Sequence, residues 1–195
     1  MDYKSILGIA AIVLGFIGYF PYVRDTLQGT TRPHLFSWVV WGVIEATAFF
    51  AQTVSGAGAG AWAMGASAVV AFFIAGVVFT HADKQIVLFD WFALAGAFVG
   101  IVLWRLTANP LLAIISVTIA DGLGFVPTFR KAYHKPHEET VIEYVFSSLK
   151  FIVAFLALGT FTVTTMLYPA SVICTNAAFA VMALVRRRAL RISIA

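Results

Sequence analysis

The sequence predicts an all-α membrane protein: seven transmembrane helices, built as two parallel three-helix bundles joined by a linker helix. Three observations carry that prediction. The 195 residues are 61% hydrophobic and 11% charged, with mean hydropathy +0.93, whereas soluble domains carry about one quarter charged residues. Seven apolar segments follow one another along the chain, each near the roughly 20 residues that cross a hydrocarbon layer. The first three segments also recur in the last three, at one constant offset of 106 positions.

The expected spans are 5–23, 35–53, 59–79, 87–106, 111–129, 141–159 and 161–185. Alternating apolar and polar residues are absent, which argues against a transmembrane β-barrel. The first span carries Asp2 beside Lys4 instead of a basic leader. It also contains a repeated element, so it is read as a mature helix and not as a signal peptide. A Gly/Ala-rich stretch at 55–60 joins the second and third spans as a tight hairpin, and Gly159 and Thr160 do the same for the sixth and seventh. The fourth span has no counterpart in the repeat. Two directly fused three-helix copies would face opposite ways, and one additional helix restores the parallel orientation. Residues 1–80 are therefore read as the first bundle, 81–110 as linker helix four, 111–185 as the second bundle and 186–195 as a basic tail.

The repeat is carried by particular residues. Gly18, Pro21 and Arg24 return as Gly124, Pro127 and Arg130; Tyr19 returns as Phe125 and Trp38 as Tyr144. Ala48 and Phe49 match Ala154 and Phe155, and Ala71 and Phe73 match Ala177 and Phe179. The Ala and Phe matches are weak in so apolar a chain. The Gly-x-x-Pro-x-x-Arg match is stronger, because both copies fall where an apolar segment gives way to a charged loop. Parallel copies imply a pseudo-twofold axis along the membrane normal, with a central site between them.

Basic residues set the expected orientation. Lys4 and Arg105 fall on one side. On the other fall Arg24, Arg32, Lys84, Arg130, Lys131, Lys135, Arg186, Arg187, Arg188 and Arg191. The positive-inside rule then puts the N-terminus outside and the C-terminus in the cytoplasm, and the plasma (inner) membrane is the expected location. The basic tail can also meet anionic headgroups. With no separate basic domain, the net charge of +4 is a topology signal, and nucleic acid is excluded as a partner.

The stretch Gly18-Tyr-Phe-Pro21-Tyr-Val-Arg24, then Gly29-Thr-Thr-Arg-Pro-His34 and Ser37-Trp38, resembles the PQ-loop signature of the SWEET and PQ-loop transporter superfamily. Gly124-Phe-Val-Pro127-Thr-Phe-Arg130 resembles its second copy. Tyr22 and Thr128 stand where the signature has glutamine. The resemblance, which reaches almost the whole chain through the 3+1+3 layout, implies a divergent seven-helix member that moves a solute. Sugar-transporting members use an Asn from the third helix and a Trp from the second helix of each half. Asn176 suits that Asn in the second half, Val70 stands at its place in the first, and Trp38 and Trp41 lie shallower than the family Trp.

Proline removes a backbone donor and kinks a helix. Pro21 and Pro127 are read as a paired hinge of a cytoplasmic gate, against a simple helix stop near a loop. Glu45, Asp121 and Lys150 fall near the middle of spans two, five and six. Charges at that depth are costly and should face a cavity or each other. Glu45 corresponds in the repeat to Phe151, next to Lys150, so an ion pair between the halves is expected as one arrangement. Asp121 corresponds to Gly15. Substrate or proton handling is weighed against structural pairing or a protonated carboxyl. Glu143 and Ser147 share a helix face with Lys150, although Glu143 lies near the interface. Trp38, Trp41 and Glu45 share another face, with aromatic-belt anchoring as the competing reading for the two tryptophans. Asn176 is read as a substrate hydrogen-bond donor or as interhelical glue. Asp90 and Arg105 are expected to cap opposite ends of helix four.

Enzyme motifs are lacking: no phosphate-cradling loop, no nucleophile elbow and no metal-spaced Cys/His set. His34, His81, His134 and His137 are read as solvated loop residues. The lone Cys174 excludes an internal disulfide and is expected to be a small packing residue. No cofactor or metal is expected. The partners expected are the bilayer and a small polar solute, with a proton as candidate co-substrate and a further copy of the chain as candidate neighbour. The function read from the sequence is a secondary transporter or facilitator working by alternating access. The alternative is a non-transporting seven-helix receptor or photosensor, with Lys150 as a Schiff-base candidate.

Overall fold

The computed structural model describes residues 2–31, 33, 35–79 and 88–192, the side chains of 78, 89, 90, 93, 191 and 192 excepted. His34, His81, Arg32, Lys84 and the Asp90 and Arg191 side chains lie outside the described residues. Among the described residues seven α-helices follow in order: α1 (Tyr3–Leu27), α2 (Leu35–Val54), α3 (Trp62–Val78), α4 (Leu88–Thr107), α5 (Pro110–His134), α6 (Val141–Leu156) and α7 (Val163–Ile192). Short 3-10 turns, Gly58–Ala61 and Pro136–Glu138, lead into α3 and α6.

Helix starts follow from local chemistry. The Asp2 side chain accepts the Ser5 N–H at 2.8 Å and caps α1. Asn109 accepts the Leu111 N–H at 3.0 Å, and Pro110 fills the first position of α5, where its missing donor costs nothing. Ends are set less locally. Both α1 and α5 run past their prolines, to Leu27 and His134. Pro21 and Pro127 are thus interior residues, which rules out the helix-stop reading, and each leaves a carbonyl one turn earlier without its helical partner. The helix of α7 continues through the basic run to Ile192, where a separate tail was expected.

Five helical segments are long and apolar enough to cross a membrane: Tyr3–Leu27, Leu35–Val54, Gly58–Val77, Pro110–His134 and Val163–Leu190. The described apolar part of α4 is shorter, Leu94–Thr107. The sixth expected span is also shortened. Its 16-residue helix rises about 24 Å, less than the roughly 30 Å hydrocarbon layer. The cause is a backbone contact at the α6–α7 turn. The Gly159 N–H donates to the Ala57 carbonyl at 2.8 Å, drawing the chain into the α2–α3 turn instead of onward into helix.

That α2–α3 turn needs glycine, since Gly56 and Gly58 hold φ of +80° and +57°. The two turns then close on each other. The Thr160 hydroxyl donates toward the Ser55 and Gly56 carbonyls at 3.1 and 3.2 Å, and Lys4 Nζ donates to the Leu158 carbonyl at 2.7 Å. A Cβ on Gly159 would stand 2.5 Å from the Gly56 carbonyl oxygen. Gly159→Ala is therefore expected to lower stability by about 1–3 kcal/mol, read as a lower thermal midpoint of the detergent-solubilised protein.

The surface pattern is that of a protein in lipid. On α1 the outward face is large and apolar, with Ile6 55%, Val13 51% and Phe20 72% exposed, while the inward face is Gly8, Ala11, Gly15 and Gly18. A soluble helix does the reverse; small residues inside and large ones outside are the membrane arrangement. Cys174 is exposed on α7, where an internal packing role was expected. Several long apolar helices with such faces are compatible with an integral membrane protein.

Helix packing places the interior. Within the chain α3 packs against both α1 and α2, and α7 against both α5 and α6. Across these groups α1 packs on α6, and α2 on α5, while α4 lies against α5 and α2. Close approach of α4 to α5 uses glycine: a Cβ on Gly100 would meet Ser116 Cβ at 2.8 Å.

Candidate functional site

The inward faces of six helices line a partly open pocket whose empty space, open solvent at its mouth included, is about 400 Å³. Glu45 and Asp121 line it from the middles of α2 and α5, and Glu143 and Ser147 from the first two turns of α6. Asn176 on α7 completes the polar wall. Trp38 and Trp41, two turns and one turn before Glu45, form the aromatic side with Tyr19, Phe125, Tyr144 and Tyr168. The structure thus brings together Glu45, Asp121, Asn176, Trp38 and Trp41, five of the six pathway residues read from the sequence. Lys150 lies just outside.

Lys150 is 1% exposed and enters a neighbouring cleft of about 170 Å³ lined by α1, α3 and α6. Its stem runs over the notch left by Gly15, where a Cβ would be 3.0 Å from Lys150 Cδ. Its ammonium donates to the Tyr19 hydroxyl at 2.9 Å and to the Ser67 hydroxyl at 2.5 Å. It also lies 4.9 Å from the Tyr19 ring centre and 4.5 Å from that of Phe151. No ion pair joins Lys150 to Glu45 among the described residues, a pairing that the repeat left open. The one-residue offset between them turns the two side chains to different clefts, with Tyr19 as the wall between.

The carboxylates of the cavity are short of partners. Asp121 is 3% exposed, and its Oδ2 is buried without a hydrogen bond. The Trp41 indole N–H is likewise buried and unmatched. Asn176 spends one amide N–H on the Val172 carbonyl at 2.9 Å within its own helix, leaving the carbonyl oxygen to the cavity. Glu143, read from the sequence as near the interface, is 6% exposed and faces inward. Trp38 is buried in the core with its N–H donated to the Tyr22 hydroxyl at 3.1 Å. Trp41 is half-buried, edge-on to Trp38 with ring centres 5.4 Å apart and tilted on Phe125 at 5.1 Å.

Two aromatic pairs repeat each other's geometry. Tyr19 and Trp38 stand with ring centres 6.2 Å apart and planes at 69°; Phe125 and Tyr144, 106 residues later, stand at 6.3 Å and 66°.

Contacts between the halves cover the end of the bundle where α1 and α5 finish. Thr140 donates to Asp25 Oδ2 at 3.0 Å and shares a hydrogen bond with the Thr31 hydroxyl. Lys131 pairs with Glu139 at 2.8 Å, and the Tyr144 hydroxyl donates to Glu139 at 3.3 Å. Burial pushes the Glu139 carboxyl up from its ordinary value, with the Lys131 ammonium drawing it part of the way back. Arg187 adds bonds to the Pro136 and Glu139 carbonyls at 3.0 and 2.6 Å, and Arg186 stacks on Tyr133. Pro21 and Pro127 sit, half-buried, between this network and the cavity. His134 and His137 belong to the same end, and Arg105 is exposed at the opposite one. Among the described residues no three His, Cys, Asp or Glu side chains gather closely enough to hold a metal ion.

Sequence reasoning missed Tyr168 and Ser67 as site residues and used Tyr19 and Phe125 only as repeat markers. Tyr19 and Phe125 did carry a signal, as an aromatic pair at the repeat offset. Tyr168 and Ser67 carried none. No family model, no curated protein and no solved structure matches the chain.

Proposed function

We propose that this protein is a secondary transporter or facilitator of a small polar solute, working by alternating access of two three-helix units. The observation that carries the reading is a buried cavity with unpartnered polar atoms at mid-helix, bounded at both ends by contacts between the two halves of the chain. An intramembrane carboxylate without a partner is expensive and marks a ligand or proton path. The two units are α1–α3 and α5–α7, with α4 as the linker. Support for parallel repeats comes from the packing: exchanging α1, α2, α3 for α5, α6, α7 turns the α1–α6 contact into the α5–α2 contact, and the matched aromatic pairs obey the same exchange. The resemblance to the SWEET and PQ-loop superfamily agrees with this reading, and the cytoplasm is assigned to the end rich in Arg and Lys.

In the mechanism the solute lies between Glu45, Asp121 and Asn176. The hairpin contacts at Gly56–Gly159 close the outer end. The Asp25–Thr140–Thr31 contacts close the cytoplasmic end, with Lys131–Glu139 bracing the second unit beside them. Pro21 and Pro127, each with a free carbonyl one turn back, let the terminal turns of α1 and α5 swing without breaking a full helical ladder.

Uptake into proteoliposomes from a panel of small solutes, with and without a pH gradient, tests this. Time-dependent, saturable uptake is expected. Asp121→Asn should abolish gradient-driven accumulation while leaving exchange measurable, and Pro21→Ala with Pro127→Ala should slow both. Vesicles that retain correctly folded protein and take up none of the panel would contradict the reading.

A further inference from the structure

We infer that the solute of this cavity is a small organic ammonium cation; the inference rests on the reading of the cavity as the transported solute's site. Three carboxyl groups, from Glu45, Asp121 and Glu143, enter the cavity from three different helices, and no basic side chain lines it among the described residues. Asp121 Oδ2 is buried with no hydrogen-bond partner among the described residues, and none of the three carboxyls joins an ion pair there. The nearest ammonium, Lys150, is single, and it is spent on Tyr19 and Ser67 in the adjoining cleft. The interior therefore holds more acid than base, an imbalance that a bound cation relieves.

The other walls specify what kind of cation. Six aromatic rings face the same space, those of Tyr19, Trp38, Trp41, Phe125, Tyr144 and Tyr168. Aromatic faces attract ammonium groups with methyl or methylene substituents. A hard metal ion instead needs six or more oxygen ligands converging at 2–2.6 Å, and no three candidate ligands converge here among the described residues. Anions are excluded by the carboxylates. A neutral polyol would satisfy some oxygens and leave the charge imbalance in place. The protein also contains its own precedent. The Lys150 ammonium rests 4.9 Å over the Tyr19 ring, which lines the cleft and the cavity alike.

The test is calorimetric titration of the purified protein with choline, with its neutral isostere 3,3-dimethylbutan-1-ol and with glucose, followed by uptake of labelled choline into proteoliposomes. Choline is expected to bind at least about tenfold more tightly than either neutral compound. Glu45→Gln combined with Asp121→Asn should weaken choline by more than about tenfold, and Lys150→Met, which removes the competing ammonium, should tighten it. Equal or better binding of the neutral alcohol or of glucose overturns the cation assignment. Since that comparison uses the unaltered protein, misfolding of a variant does not blunt it. Choline binding without uptake would uphold the cation site and reject transport. Saturable uptake of neutral solutes without choline binding would uphold transport and reject the cation class.

Discussion

Trp38→Ala is expected to destabilise the protein by about 3–5 kcal/mol and to abolish solute binding. Trp38 is 4% exposed and joins three rings: Tyr22 at 5.0 Å, Trp41 at 5.4 Å and Tyr19 at 6.2 Å. Alanine would remove the shared partner of all three and leave a void between α1 and α2. It would also strand the Tyr22 hydroxyl, which now accepts the indole N–H at 3.1 Å. Trp38→Phe separates the two effects. It keeps most of the ring contact and loses the hydrogen bond, so a cost near 1 kcal/mol is expected. Thermal and denaturant melts in detergent read the difference. Similar losses for Ala and Phe would mean that the hydrogen bond, and not the ring packing, supports this wall.

Lys150→Ala is expected to cost a comparable amount, about 3–5 kcal/mol. The stem fills the Gly15 notch and the ammonium satisfies two buried hydroxyls, so truncation opens a hole and leaves Tyr19 and Ser67 unpaired. Lys150→Met retains a stem of similar length and removes the charge. Methionine still leaves the Tyr19 and Ser67 hydroxyls without the ammonium, so a cost of about 1–3 kcal/mol is expected from the lost hydrogen bonds alone. The methionine variant should therefore lose less of its thermal midpoint than the alanine variant, which also opens the Gly15 notch. Equal destabilisation by both would show that the ammonium's bonds, and not its stem, hold α1, α3 and α6 together.

Much of the site was legible because charge is rare in an apolar chain. Glu45 and Asp121 stand out inside long apolar segments, and their convergence follows from the cost of exposing them to lipid. Asn176 was legible for the same reason. Tyr168 and Ser67 were not, since an aromatic or hydroxyl residue inside a span is as compatible with packing as with a ligand. The ends of α6 and α7 were misjudged for non-local reasons. A backbone bond from Gly159 to Ala57 shortens α6, and Arg186 and Arg187, bonded to the α5–α6 connection, hold the basic run of α7 in register as helix. The missing Glu45–Lys150 pair is a matter of symmetry. At the α1–α6 contact the repeat places Gly15 with Lys150, and at the α2–α5 contact it places Asp121 with Ile44. The lysine therefore occupies a notch that its counterpart position does not have.

The central claim is that one cavity opens in turn to the two faces of the membrane. Ser147→Cys, in a Cys174→Ser background, places one thiol on the cavity wall. Membrane-impermeant thiol reagents applied to either face of sealed, uniformly oriented proteoliposomes measure its access. The account expects modification from both faces, slowed from both by saturating ligand. Modification from one face alone, at any ligand concentration, would contradict it and leave a binding protein with a single entrance.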